Sequence, residues 1–319
     1  MRIARKKSLE SIRNESEQSK LKKSLRAKDL ALLGMGSVIG TGIFVATGQG
    51  AHMAGPGIIL SFIITAIISG LCCLMYSELA TMFPVSGSTY SYSYIAFGEF
   101  TAWIVGWDLI LAYLINASAV GAGWSATFVG LLHSIGIDLP KALTVSRIAD
   151  PQGFVDLPAI CITLLVTYIL FIGISESAKM NNLIVVIKVA VILLFIGLGV
   201  SHINLSNLQP MMPFGWTGIM SGAAIVFYAY TGFDSISTAA EESVNPARDV
   251  PLGLIICLGT VSALYIAVAL VLTGMVPFNK INILEALPAA LSSVGIHWGS
   301  DGYRFSNLNT DTHVESIKE

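Results

Sequence analysis

Apolar residues dominate this chain in long uninterrupted runs, without the strict alternation of a half-buried strand. Seven runs, residues 30–48, 57–75, 100–132, 157–174, 183–200, 219–243 and 252–276, are the candidates for membrane crossing. Each can traverse a hydrocarbon core about 30 Å thick at about 1.5 Å per residue. The pattern predicts an all-α integral membrane protein. The third run is long enough to tilt or protrude. The sixth is interrupted by Tyr230-Thr-Gly-Phe-Asp234, which predicts a discontinuous helix. Past 276 the pattern changes: 277–296 are mixed, the rest is polar, and no eighth span is predicted. The organisation expected is therefore a basic tail over 1–29, a seven-span membrane domain over 30–276, and a loop with a polar tail over 277–319.

Charge sharpens this picture. Charged residues make up 12% of the chain and hydrophobic ones 54%, whereas soluble domains carry roughly 25% charged residues. A soluble globular fold is excluded. Ten of the eighteen Lys and Arg residues fall between Arg2 and Lys28, so the positive-inside rule puts the N-terminus in the cytoplasm, with the plasma membrane as the expected location. Alternation from there places 133–156 outside, the turns at 176–182 and 241–249 inside, and the C-terminal tail outside. Glu10, Glu15, Glu17 and Asp29 interrupt the basic segment, which favours a solvated tail over a lipid-binding helix. No nucleic-acid partner is expected. Cys72, Cys73, Cys161 and Cys257 all lie within apolar runs, where thiols act as small packing groups, and no metal site or cofactor is predicted. His52, His133, His202, His297 and His313 are scattered, and no nucleophile–base set or phosphate-binding loop is present, so an enzyme is not expected.

The first run contains Gly34-Met-Gly-Ser-Val-Ile-Gly-Thr-Gly-Ile-Phe44. Each interior Gly costs a helix about 0.8–1.0 kcal/mol relative to Ala, so the cluster favours local unwinding and frees backbone N–H groups for a carboxylate. The same spacing, Gly36-xxx-Gly40, also suits close helix packing. These readings stand level on the motif alone. The sixth run tips the balance, because Phe227-Tyr-Ala-Tyr-Thr-Gly-Phe-Asp234 is a second Gly-centred interruption about five spans later. Paired interruptions point to an inverted-repeat transporter with a midplane site, where carbonyls of one unwound segment attract an ammonium and amides of the other a carboxylate. The repeats would run over 30–203 and from 215 to 276.

Several motifs in order carry a resemblance. They are Lys28-Asp-Leu-Ala-Leu-Leu-Gly-Met-Gly-Ser-Val-Ile-Gly-Thr-Gly-Ile-Phe44, Ala54-Gly-Pro, Tyr76-Ser-Glu-Leu-Ala80, Pro84-Val-Ser-Gly-Ser-Thr-Tyr90, Gly106-Trp-Asp108 and Glu241-Glu-Ser-Val-Asn-Pro-Ala-Arg-Asp249. Together they resemble amino acid permeases of the amino acid/polyamine/organocation superfamily, in the bacterial cationic-amino-acid-transporter-like branch. The resemblance implies a five-plus-five inverted repeat within about twelve spans and a substrate held between broken first and sixth helices. Carried over by motif, it implies that the backbone at Thr41 and Gly42, with Ser37 and Gly40 nearby, takes the substrate carboxylate. Carbonyls at Val38, Tyr228 and Thr231 would take the amino group, with Tyr228 at the position of an aromatic gate.

Lys188 lies within the fifth run, where it either snorkels to the nearby interface or serves a function. Proton-coupled members of the family resembling this chain place a Lys here, which implies symport with protons. Desolvation disfavours the charged form of a buried amine, as proton exchange requires. Asp108 is expected to bond a neighbouring helix, and Asp234 and Glu241 are candidates for a gate or a cap. Two departures stand out. Similar transporters often read Leu-Glu-Tyr where this chain has Leu111-Ala112-Tyr113, so small or neutral amino acids are expected over cationic ones. The resemblance also ends near Trp298, so the fold is expected to be incomplete and C-terminally truncated, without spans eight to twelve. The alternative to an active transporter is thus a transport-inactive fragment serving as a membrane partner or binding subunit.

Overall fold

The computed structural model describes residues 23–295, apart from 84, 86–87, 135, 149, 173 and 282–285. Most of the expected basic tail and the polar end of the chain lie outside these residues. In order, the helices are α1 (Ala27–Val38), α2 (Thr41–Ala54), α3 (Ile58–Met82), α4 (Ser88–Ala96), α5 (Glu99–Ser134), α6 (Lys141–Thr144), α7 (Leu157–Ile172), α8 (Ile174–Val200), α9 (Gly215–Phe227), α10 (Ser235–Thr238), α11 (Pro246–Met275) and α12 (Ala286–Ser293). Among the described residues, β-structure amounts to two isolated bridges, Leu25 with Ser243 and Ser146 with Phe154.

Among the described residues, four stretches, Ala46–Met82, Glu99–Ser125, Asn181–Val200 and Pro246–Met275, are each long and apolar enough to cross a bilayer. The first and sixth apolar runs are divided between shorter helices. Helices α1, α2 and α9 hold 12, 14 and 13 residues, so at about 1.5 Å per residue each reaches only about 20 Å. Hydropathy sums across a break that backbone geometry does not cross: the first run is cut after Val38, and the sixth loses α-helical form after Phe227.

The described residues form two compact units, one of 23–113 with 178–287 and the other of 114–177 with 288–295. The centre of the first unit is α11. Its residues Val250, Leu254, Cys257, Val261, Tyr265, Val268 and Leu272 recur every three or four positions and are all fully buried, which lines one helix face with core. That face packs on α1 and α3. Helix α9 packs on α2 and α3, and there polar side chains tie backbone to backbone: Ser61 Oγ donates to the Ile219 carbonyl at 2.8 Å and Thr65 Oγ1 to the Ala223 carbonyl at 3.2 Å. A Cβ at Gly222 would lie 2.8 Å from Ser61 Oγ and 3.0 Å from Ala54 Cβ, so the glycine sets how closely these helices approach.

In the second unit, Asp156 accepts hydrogen bonds from the Ala159 amide, at 3.0 Å, and from Ser125 Oγ. It caps the start of α7 and ties α5 to it. Along α5, Trp103, Trp107 and Leu111 of the first unit and Leu114 and Ile115 of the second are each about 60% exposed, apolar surface that lipid or further protein would shelter.

Two substitutions separate close packing from open surface. Gly222→Val should lower the thermal unfolding midpoint of the detergent-solubilised protein, by overpacking worth about 1–3 kcal/mol. Gly259→Ala, at an α11 position where a Cβ meets nothing within 4 Å among the described residues, should leave it unchanged or raise it.

Candidate functional site

The first break is a tight turn. Ile39, at φ −75° and ψ 86°, lets the Gly40 amide donate back to the Val38 carbonyl at 2.9 Å, the bond of an inverse γ-turn. This leaves two helix ends facing one another. At the end of α1 the carbonyls are partial negative charges without intrahelical partners, and at the start of α2 the amides are partial positive ones. Protein donors meet the first group. The Lys188 ammonium donates to the carbonyls of Ile39 at 2.7 Å and Gly36 at 3.2 Å, and the fully buried Tyr265 hydroxyl donates to Val38 at 3.1 Å. A cation at a helix C-terminus is favoured by the dipole as well as by the hydrogen bonds. Helix α2 starts from Gly40, which has no side chain with which to cap the amides that follow.

The second break lies against the first. Helix α9 gives way to a 3-10 turn at Tyr228–Tyr230 and an extended Thr231, after which Gly232, at φ 109°, turns the chain into α10. Two glycines allow the contact. A Cβ on Gly42 would stand 2.7 Å from the Ala229 Cα, and one on Gly232 3.0 Å from the Ser37 carbonyl. Gly40 differs, since a Cβ there would meet nothing within 4 Å among the described residues. Close packing and local unwinding thus fall at different positions of the Gly cluster: Gly36 presses on Asn181 of α8, while Gly40 lies in the break.

An aromatic cluster fixes the junction from behind. The Tyr265 ring lies edge-on to Tyr230 at 5.5 Å and to Phe62 at 5.9 Å, and the Tyr230 hydroxyl reaches the Phe62 carbonyl at 3.4 Å. Such rings add about 0.5–1.5 kcal/mol per pair beyond their area.

Of the residues singled out in the sequence, Ser37, Val38, Gly40, Thr41, Gly42, Tyr228, Thr231 and Lys188 thus belong to the two breaks or to contacts with them. The Ser37 hydroxyl donates within its own helix to Leu33, at 3.3 Å. The Val38 carbonyl already accepts two bonds, as does that of Tyr228, which takes the Thr231 amide at 3.2 Å and the Thr231 hydroxyl at 2.7 Å. Asp234 stands at the N-cap position of α10 but makes no side-chain cap; its carboxylate accepts the Tyr113 hydroxyl at 2.8 Å instead. Glu241 lies in the 3-10 turn after α10, which leads into a backbone strap. There the Ser24 and Leu25 amides donate to the Glu242 carbonyl at 2.9 and 3.0 Å, and the Val244 amide to Leu25 at 2.9 Å. Asp108 is exposed and, among the described residues, bonds no neighbouring helix, against expectation.

Sequence reasoning missed Tyr265, Tyr230 and Tyr113. A tyrosine in an apolar helix reads as core, although its hydroxyl must still find a partner when buried, and that requirement was the available signal.

Two broken helices thus meet within a set of helices long and apolar enough to cross a bilayer. The family follows from comparison: residues 25–300 match the amino acid permease family, and the chain belongs to it. It is 46% identical over 294 residues to the methylthioribose transporter of Bacillus subtilis (strain 168), covering 92% of this chain and 64% of that protein. It is 44% identical over 300 residues to the branched-chain amino acid permease BcaP of the same organism, covering 93% and 64%. To cationic amino acid transporter 5 of Arabidopsis thaliana it is 36% identical over 290 residues, covering 90% and 50%. The chain thus spans about half to two thirds of the length of these relatives.

The two glycines of the first break should respond differently. Gly42→Val must push α2 off Ala229, and uptake should be lost while membrane insertion, read by protease protection, persists. Gly40→Ala should insert and unfold like the native protein yet bind substrate at least several-fold more weakly, because its methyl fills the space in the break.

Proposed function

We propose that this chain carries the substrate site of a secondary active transporter that takes up small or neutral amino acids together with protons. It would lie in the plasma membrane with the N-terminus in the cytoplasm. The observation that carries this reading is the N-terminus of α2, which starts from a glycine where a Cβ would meet nothing within 4 Å among the described residues, directly against the second break. Amides aimed into a low-dielectric cleft are suited to an α-carboxylate. The carbonyl-rich turn at Tyr228–Thr231 and the end of α1 are suited to the α-ammonium, and the half-exposed Tyr228 is placed to close over the ligand.

Selectivity for neutral side chains is supported by Ala112, which puts a methyl where a carboxylate would attract Arg or Lys. It is supported also by the similarity to a permease named for branched-chain amino acids. Similarity to a methylthioribose transporter supplies the competing reading, a neutral thio-sugar with no carboxylate for the α2 amides. Proton coupling is supported by Lys188, whose ammonium holds two carbonyls at the end of α1. Loss of its proton would remove a positive charge from the negative end of that helix and loosen α1 from α8. Each half-cycle could then be biased by protonation.

In cells expressing the native gene, uptake of labelled L-valine should be blocked by excess unlabelled leucine or alanine at concentrations where arginine and methylthioribose have little effect. Inhibition by methylthioribose alone would replace the amino acid reading, and arginine prevailing at the lowest concentration would overturn the selectivity. Uptake should rise as external pH falls below internal pH and ignore a sodium gradient. Lys188→Ala should abolish that pH response, and sodium-driven, pH-independent uptake would rule out proton coupling.

A further inference from the structure

The two carbonyls assigned to the substrate ammonium are both occupied by the protein's own hydroxyls. A carbonyl oxygen has two lone pairs. At Val38 one takes the Gly40 amide and the other the Tyr265 hydroxyl; at Tyr228 one takes the Thr231 amide and the other the Thr231 hydroxyl. An ammonium arriving at either carbonyl has to displace a neutral donor.

From this geometry we propose that Tyr265 and Thr231 are specificity-determining placeholders. Their hydroxyls satisfy the freed carbonyls of the two breaks when the site is empty and yield only to a charged donor. The inference rests on the reading of the junction as an amino acid site, and it states how that site chooses its ligand. Tyr265 is fully buried, and its ring is pinned between Phe62 and Tyr230, so the hydroxyl is held on Val38 by packing as well as by its bond. Without it, a buried acceptor in the break would lack a second partner, a state that proteins avoid. Thr231 needs no such pinning, because its hydroxyl folds back on a carbonyl of its own turn at 2.7 Å.

Displacement favours a particular class of ligand. A primary ammonium offers three donors on one charged centre, and charge-assisted bonds are roughly twice as strong as neutral ones. It can therefore take the Val38 and Tyr228 carbonyls together and leave the two hydroxyls to reorient. A neutral hydroxyl on a sugar exchanges one neutral bond for another and gains nothing. The placeholders thus raise the threshold for every ligand that must donate to these carbonyls, and an α-amino group is the group that passes it.

The test compares Tyr265→Phe and Thr231→Val with the native protein in lipid nanodiscs. Both substitutions remove a hydroxyl and retain the bulk. Equilibrium binding is measured for L-valine and for 3-methylbutanoate, the same molecule without its amino group. Removing a competing donor should lower the Kd for valine about fivefold in each variant, as expected for one neutral hydrogen bond. The Kd for 3-methylbutanoate should not move. A valine Kd that is unchanged or higher in the variants overturns the inference, and so does an equal shift for both ligands, which would mark a general change of the site. Native protein that binds no valine would instead overturn the amino acid reading itself. Should Tyr265→Phe fail to fold, the exposed Thr231 carries the same test.

Discussion

Everything in the first unit depends on satisfying the backbone groups set free between Val38 and Thr41. In a hydrocarbon core an unpaired carbonyl or amide costs several kcal/mol, so a helix breaks there only where protein or water replaces the lost bonds. The protein answers asymmetrically. The carbonyl side of the break is met by Lys188 from α8 and Tyr265 from α11. The amide side, at the start of α2, begins at Gly40, which has no side chain to cap it.

The surrounding packing holds that arrangement in place. Helix α11 runs through the middle of the unit with one face fully buried, and Tyr265 on that face reaches the first break while its ring touches the second at Tyr230. Further along, Gly253 of α11 lets the backbone of α1 approach, and Gly34 of α1 accommodates Ile236 of α10 and Cys257 of α11. The two half-helices α1 and α10 are thereby locked to one central helix and joined again by the strap at Leu25 and Ser243.

The sequence was most informative where residue type and membrane depth conflict. Four glycines in one apolar run, a Tyr-Thr-Gly-Phe-Asp interruption in another and a lysine within a third are each costly in lipid. Each is found at the junction or bonded to it. Asp234 was the weaker case: its position before a helix suggested a cap, whereas the carboxylate turns to Tyr113. Legibility failed where a residue satisfies two roles at once. Tyr265 falls on the apolar stripe of α11 and so looked like core, which it is, and nothing in spacing reveals that its hydroxyl ends on Val38. The exact ends of the half-helices were not legible for a related reason, because a hydropathy window averages across Ile39 and Gly40 while hydrogen bonding stops there. The roles of individual glycines, closeness at Gly36 and Gly42 and openness at Gly40, depend on neighbours distant in sequence.

That the break in the first helix holds an amino acid by both poles is tested most directly by an experimental structure of the native protein with L-valine bound. The carboxylate oxygens should lie about 2.7–3.2 Å from the amide nitrogens of Thr41 and Gly42, with the ammonium against Val38 or Tyr228 and the Tyr265 hydroxyl drawn off its carbonyl. Valine bound elsewhere, with the α2 amides facing protein groups and the Tyr265 bond intact, would contradict it.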